Sequence, residues 1–188
     1  MQNANSSDPL ALSRHIKQSG PAPVHLWDPP FCGDMDMRIA RDGTWYHEGS
    51  PIRRDALVKL FSSVLKKEDE KYFLVTPVEK VGIQVDDCPF VVRTAEISGA
   101  GSDQRVSFVL NTGEQLPLDE QHYLSIGTDP DSDEPHPTVH VRSGLFALLS
   151  RSVFYQLVEA AESRQEHGQI KLGICSAGHF FELGEIKP

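Results

Sequence analysis

The sequence predicts an α+β chain of duplicated hairpin–helix–sheet units, the C-terminal part a curled antiparallel sheet with a helix. Three observations carry this. Short strand-like runs follow one another closely, separated by Pro, Asp-Asp, Gly-Ala-Gly-Ser and Thr-Gly breaks, which suits an antiparallel sheet better than βαβ units. Apolar residues recur at helical spacing after Ser50-Pro51, and a second helix follows Ser150. The order strand, X-Gly turn, strand, polar break, helix, strand pair also occurs twice. Arg41-Asp42-Gly43-Thr44-Trp45 lies against Arg142-Ser143-Gly144-Leu145-Phe146, and Leu57-Val58 against Leu157-Val158, an internal duplication with a period of about one hundred residues.

In chain order, residues 1–22 form a polar N-terminal segment in which Leu10, Leu12 and Ile16 make a short amphipathic helix. Residues 23–78 form an N-terminal α+β domain and 79–188 a C-terminal one. Met35–Arg41 and Thr44–Glu48 flank Asp42-Gly43, a pair suited to a two-residue type I′ turn because both positions need positive φ. Ser50-Pro51 then supplies an N-cap with Pro at the first helical position. Leu57, Leu60, Phe61, Val64 and Leu65 give that helix its apolar face, and Lys66-Lys67 suit its negative end. Strands follow at Tyr72–Thr76, Lys80–Val85, Phe90–Ile97, Arg105–Asn111 and Glu114–Leu118. Asp119–Pro137 reads as a long acidic loop. Thr138–Arg142 pairs with Leu145–Leu149, a helix covers Val153–Glu162, and Ile170–Cys175 with His179–Leu183 closes the chain as a hairpin.

Composition excludes several classes. The 188 residues are 39% hydrophobic and 24% charged, ordinary values for a folded domain and far from those of a disordered chain. No apolar run reaches the roughly 20 residues that span a bilayer, so no membrane association is expected. The first eight residues have neither a basic nor an apolar stretch, so export by a signal peptide is not expected. Cys32, Cys88 and Cys175 are odd in number and far apart, which argues against a disulfide framework and for a reducing, cytoplasmic setting. The net charge of −9 repels an extended polyanion, so nucleic acid polymers are disfavoured as partners. A single small anion in a local basic pocket is compatible with it. The oligomeric state is not legible.

The first hairpin carries the most informative chemistry. With Asp42-Gly43 as a two-residue turn, Arg41 faces Thr44, Ala40 faces Trp45, Arg38 faces His47 and Asp36 faces Gly49. Asp36, Arg38, Trp45 and His47 then share one side, while Met35, Met37, Ile39 and Tyr46 form the core side. An indole, a guanidinium and an imidazole side by side suit stacking on a flat ring and hydrogen bonding to a phosphate or carboxylate. Arg53 at the helix start adds charge, and Lys80 and Arg142 join from other strands. The competing reading is a solvated hairpin face with Asp36–Arg38 as a weak surface pair.

Other constellations are poorer. Asp129-Pro130-Asp131-Ser132-Asp133 starts like a calcium loop, but Glu134 and His140 stand where Gly and Glu belong, so it reads as a solvated acidic loop. His136 and His140 are separated by Pro137, and Cys175 with His179 lacks a third ligand, so no metal site is expected. No nucleophile elbow, phosphate-binding lysine loop or dinucleotide fingerprint occurs, and no catalytic residue or cofactor is assigned.

The run Gly33-x-x-Asp36-Met37-Arg38-Ile39-x-x-Asp42-Gly43-x-Trp45-x-His47-x-Gly49-x-Pro51-Ile52-x-Arg54 resembles the bacterial domain of unknown function 1285 family. So does Leu74-Val75-Thr76-Pro77-Val78-Glu79-Lys80-Val81-x-Ile83-x-Val85-Asp86-Asp87-x-Pro89-Phe90, and, more loosely, Val141-Arg142-x-Gly144-Leu145 and Ser150-Arg151-x-Val153-x-Tyr155-x-Leu157-Val158. The likeness spans about residues 24–185. It implies two α+β domains with an internal duplication, a C-terminal part similar to pleckstrin-homology folds, a nucleotide-like ligand at the domain interface and a role in signal transduction. The leading expectation is thus a non-catalytic protein that binds or senses a small anionic, nucleotide-like ligand through Asp36, Arg38, Trp45, His47, Arg53, Lys80 and Arg142. One alternative is a hydrolase or transferase acting on a phosphate-containing molecule, with His47 as base oriented by Asp36. Another is a protein-interaction module using a sheet edge or apolar patch.

Overall fold

The structure is a computed structural model and describes residues 20–166 and 168–186. The helix expected around Leu10, Leu12 and Ile16 lies outside the described residues. Strands take 52% of the described chain and helices little, so the protein is mostly β, with curled sheets and two similarly organised halves. Among the described residues no helix is long and apolar enough to cross a membrane.

The chain divides into two compact units, residues 1–89 and 90–188. The first holds strands β1 (Phe31–Ile39), β2 (Trp45–His47) and β3 (Ser50–Pro51), helix α1 (Asp55–Ser63), then β4 (Leu65–Glu68), β5 (Lys71–Val75) and β6 (Lys80–Val85). They form one sheet in the order β3-β2-β1-β6-β5-β4. Its apolar face follows from alternation along β1, where Met35, Met37 and Ile39 point inward and are almost fully buried. Phe61, from α1, stacks on Trp45 at 6.1 Å between ring centroids, and Val64, Leu65, Leu74 and Val81 complete the core. The opposite face carries the polar residues of β1, β4, β5 and β6.

The second unit holds β7 (Phe90–Ser98), β8 (Arg105–Leu110), β9 (Gln115–Pro117), β10 (Leu124–Thr128), β11 (Pro135–Arg142), β12 (Leu145–Leu149), helix α2 (Arg151–Glu159), β13 (Glu162–Glu166), β14 (Gln169–Ser176) and β15 (His179–Ile186). Six strands pair in the order β10-β11-β12-β7-β8-β9, and the last three form a separate antiparallel sheet. Ser176 joins the two: its hydroxyl donates to the Leu118 carbonyl (2.7 Å) and accepts from the Val106 N–H (3.0 Å). The duplicated order is visible in β1-β2-α1-β4-β5-β6 and β11-β12-α2-β13-β14-β15, each a hairpin, a helix and a three-stranded antiparallel meander.

Several expectations are corrected. The sheets are mixed, because β1 runs parallel to β6 and β7 parallel to β12. The domain boundary falls after Pro89 instead of Val78, since β6 is hydrogen-bonded between β1 and β5 and belongs to the first unit. Ser50-Pro51 is a short strand against β2; the helix starts at Asp55, and Lys66-Lys67 lie in β4, paired with β5. The stretch 119–137 is not one long loop: it contains β10 and the start of β11. Asp129 is buried, and its carboxylate caps the hairpin by accepting from the N–H groups of Asp131 (2.9 Å) and Ser132 (3.1 Å).

Candidate functional site

The hairpin geometry decides where the chemistry lies. Residues 41–43 form a three-residue turn: Gly43 N–H donates to the Ala40 carbonyl (2.8 Å), and Ala40 N–H donates to the Thr44 carbonyl (2.9 Å). Only the last position needs the left-handed region, and Gly43 takes it with φ of 82°. Asp-Gly suits this turn as well as the two-residue one, but the register differs by one residue. The observed pairs are Met37↔His47, Arg38↔Tyr46 and Ile39↔Trp45. A one-residue slip exchanges the faces of one strand relative to the other.

Trp45 is therefore in the core, 1% exposed and stacked on Phe61, and His47 lies on the Met37 side of the ribbon. Asp36 and Arg38 point the other way, with Tyr46. The expected stack of Arg38, Trp45 and His47 is not assembled, and neither is the Asp36–His47 acid–base pair. Arg38 instead lies over the Tyr46 ring, 4.8 Å from its centroid, and pairs with Asp86. Arg53 is exposed two residues before α1. Lys80 lies on the same outer face as Arg38, bonded to Glu68 (2.9 Å) and 5.0 Å from the Phe73 ring centroid. Arg142 belongs to the second unit, where Glu114 binds it at 3.0 Å and its guanidinium lies 5.1 Å from the Phe90 ring.

What this outer face offers is a recess of about 380 Å³, lined by Asp34, Lys71, Phe73, Gly82, Gln84 and Asp86, with Tyr72 and Glu70 at its side. Its origin is local. Phe31, Asp34 and Arg38 of β1 pair with Lys80, Gly82 and Gln84 of β6, so β1 spends seven residue steps where β6 spends four and bows away from its neighbour. Gly82 is the buried floor of the recess. A Cβ there would sit 2.1 Å from Asp34 Oδ1, so the Asp34 carboxylate lies folded across the strand in the space a side chain would occupy. Phe73 backs the floor and meets Phe31 edge-on at 6.1 Å.

Of the expected residues none lines this recess; Arg38 and Lys80 contact two that do, Asp86 and Phe73. Asp34, Lys71, Phe73, Gly82 and Gln84 were missed. A lone glycine between alternating residues of a strand, Val81-Gly82-Ile83, marks a close backbone approach and was the available signal.

The electrostatics are those of paired charges. Hydrogen bonds from Lys80 and Lys66 hold the Glu68 carboxyl below the usual carboxylate range. Burial, then the neighbouring Cys88, Glu70 and Asp87, pushes the Tyr72 phenol up to about 12, so it stays a neutral donor. Burial and the adjacent Asp87 push the Cys88 thiol well up; burial and the Glu162 acceptor raise Cys175. Both thiols stay protonated at neutral pH, which is the unreactive form.

Two family models cover almost all of this chain: domain of unknown function 1285, N-terminal domain, over residues 22–88, and protein of unknown function 1285, C-terminal domain, over 89–183. Among solved structures, a protein of the same family from Silicibacter pomeroyi DSS-3 is 49% identical, with 97% of each chain covered and a TM-score of 0.88. Another, from Shewanella baltica OS155, is 28% identical, covers 66% of this chain and 91% of its own, and gives a TM-score of 0.50. No curated protein matches. The boundary between the two models falls within one residue of the boundary between the two compact units. The chain belongs to the DUF1285 family.

Proposed function

We propose that this protein binds and senses a small polar molecule without transforming it, and that the molecule sits on the outer face of the N-terminal sheet, over Gly82. The observation that supports this reading best is the recess itself, about 380 Å³, within the range of small-ligand sites and with the Asp34 carboxylate laid across its Gly82 floor. Its walls mix an aromatic ring, an amide and charges of both signs, which suits a nucleotide-like or similarly polar small molecule. The partner we propose is such a molecule and not a nucleic acid polymer, given the net charge of −9. A catalytic role draws no support from the first hairpin, where Asp36 and His47 lie on opposite faces.

A thermal-shift screen of nucleotides, amino acids, short peptides and polyamines tests it, run on the wild type and on Gly82→Leu. A bound molecule raises the melting temperature by mass action, by about 2.7 kcal/mol of native-state stabilisation at one hundred times Kd. Leu at 82 fills the recess while Asp34, the end of a flexible side chain, swings aside. Hits that stabilise the wild type and not the folded Gly82→Leu variant support the reading. A screen without hits, or hits unaffected by the variant, refutes it.

A further inference from the structure

We infer that the recess over Gly82 selects a dipolar molecule, one carrying a cationic group and an anionic group at opposite ends; this rests on the reading of the recess as a ligand site. Several charges on the outer face are already satisfied. Arg38 is tied to Asp86, and Lys80 and Lys66 to Glu68. The Arg38–Asp86 pair is internally neutral, and the Glu68 cluster, two ammonium groups on one carboxylate, lies outside the lining of the recess. Among the described residues two lining groups of opposite sign have no hydrogen bond or ion pair: the Asp34 carboxylate and the Lys71 ammonium. Both side chains are exposed.

Their placement is fixed by the sheet. Asp34 on β1 pairs with Gly82 on β6, Gly82 pairs with Phe73 on β5, and Lys71 lies two residues from Phe73 along β5. Two strand spacings of about 4.8 Å and two residue rises of about 3.4 Å put the Asp34 and Lys71 Cα atoms roughly 12 Å apart, diagonally across the floor. Gln84, two residues beyond Gly82 on the same side of β6, offers an amide donor and acceptor between them. A molecule with an ammonium at one end and a carboxylate at the other, joined by a chain of five or so carbons, spans this diagonal. It places its ammonium on Asp34 and its carboxylate on Lys71. A singly charged molecule leaves one of the two groups uncompensated.

The test is isothermal titration with 6-aminohexanoate, hexylamine and hexanoate, repeated on Asp34→Asn, Lys71→Met and Gly82→Leu, with each variant's melting temperature recorded. The expected result is binding of 6-aminohexanoate at least tenfold tighter than of either singly charged analogue. Each charge-removing variant should lose tenfold or more while its melting temperature stays near the wild-type value. Equal binding of the three compounds, or 6-aminohexanoate binding untouched by Asp34→Asn and Lys71→Met, overturns the dipolar assignment. If such binding still disappears in Gly82→Leu, the recess survives as a ligand site and only its selectivity is wrong. If none of the three binds, the dipolar assignment falls, and the screen on Gly82→Leu decides the recess separately.

Discussion

Replacing Trp45 separates a core indole from a ligand-stacking one. Trp45 is 1% exposed, opposite Ile39 in the register and stacked on Phe61 at 6.1 Å with 29° between the rings. Trp45→Ala removes most of a large aromatic side chain and leaves a cavity between β2 and α1, which costs about 3–5 kcal/mol. At roughly 2–4 °C per kcal/mol for a chain of this size, the melting temperature falls by about 6–20 °C. Trp45→Phe behaves differently. It loses part of the buried area, about 1 kcal/mol for a few tens of Å². It also deletes a buried indole N–H, Nε1, that no protein group accepts from among the described residues. Relief of an unsatisfied donor is worth about 1–3 kcal/mol, so the net change runs from about zero to about 2 kcal/mol of stabilisation. Urea unfolding followed by circular dichroism measures both. Trp45→Ala as mild as Trp45→Phe, or a native fold with an accessible indole by acrylamide quenching, contradicts the core placement and restores the open-face register.

Three further outcomes follow from local geometry. Glu68→Gln removes a carboxylate whose folded pKa is depressed by Lys80 and Lys66. The stability it supplies is present above the unfolded glutamate value of about 4.3 and is lost as pH falls through the lower folded value. Wild type and variant should differ by under about 1 kcal/mol at pH 7 and converge near pH 3 in melting temperature, because the pair is partly solvated. Asp129→Ala leaves the N–H groups of Asp131 and Ser132 without their acceptor and should cost about 1–2 kcal/mol in thermal unfolding, with Asp129→Asn recovering most of it. His140 donates through Nδ1 to the Gln121 carbonyl (2.7 Å) and accepts from the Gly144 N–H (3.3 Å) through Nε2, so His140→Leu should speed amide exchange at Gly144.

Strand and helix positions were legible where the chemistry was local. Lys80–Val85 and Leu145–Leu149 are strands with the expected bounds, since β-branched and apolar runs flanked by turn residues leave little choice. The repeated hairpin–helix order also followed from the residues. The acidic stretch 119–137 did not, because β10 is stabilised by its hydrogen bonds to β11 and not by its own Leu-Ser-Ile-Gly-Thr composition. β13, Glu162–Glu166, is exposed throughout and carries no periodic signal at all. The parallel pairing of β1 with β6 is a long-range contact that no local pattern encodes.

The candidate site was lost on a single ambiguity. Asp42-Gly43 closes a two-residue or a three-residue turn with equally suitable residues, and the difference moves Trp45 and His47 from the polar face to the core side. The alternation of Met35, Met37 and Ile39 gave the correct inner face of β1, but the placement of Trp45 opposite Ala40 needed one turn type. Burial favours an indole beside β1's inner residues, since tryptophan is highly buried on average. Arg38 and Lys80 lie on the outer face beside the recess without lining it, in strands whose faces do not depend on that turn. Their partners Asp86 and Glu68 come from residues distant in sequence, which is why the charges looked free in the sequence and are paired in the fold.

The outer face of the N-terminal sheet is the place where the proposed small molecule binds. An NMR titration of the isotopically labelled protein with the most strongly stabilising compound from the thermal screen tests this most directly. The expected result is saturable shift changes at the amides of residues 34, 71–73 and 82–86, absent in Gly82→Leu. Changes concentrated around Trp45 and His47, or confined to residues 90–186, contradict it.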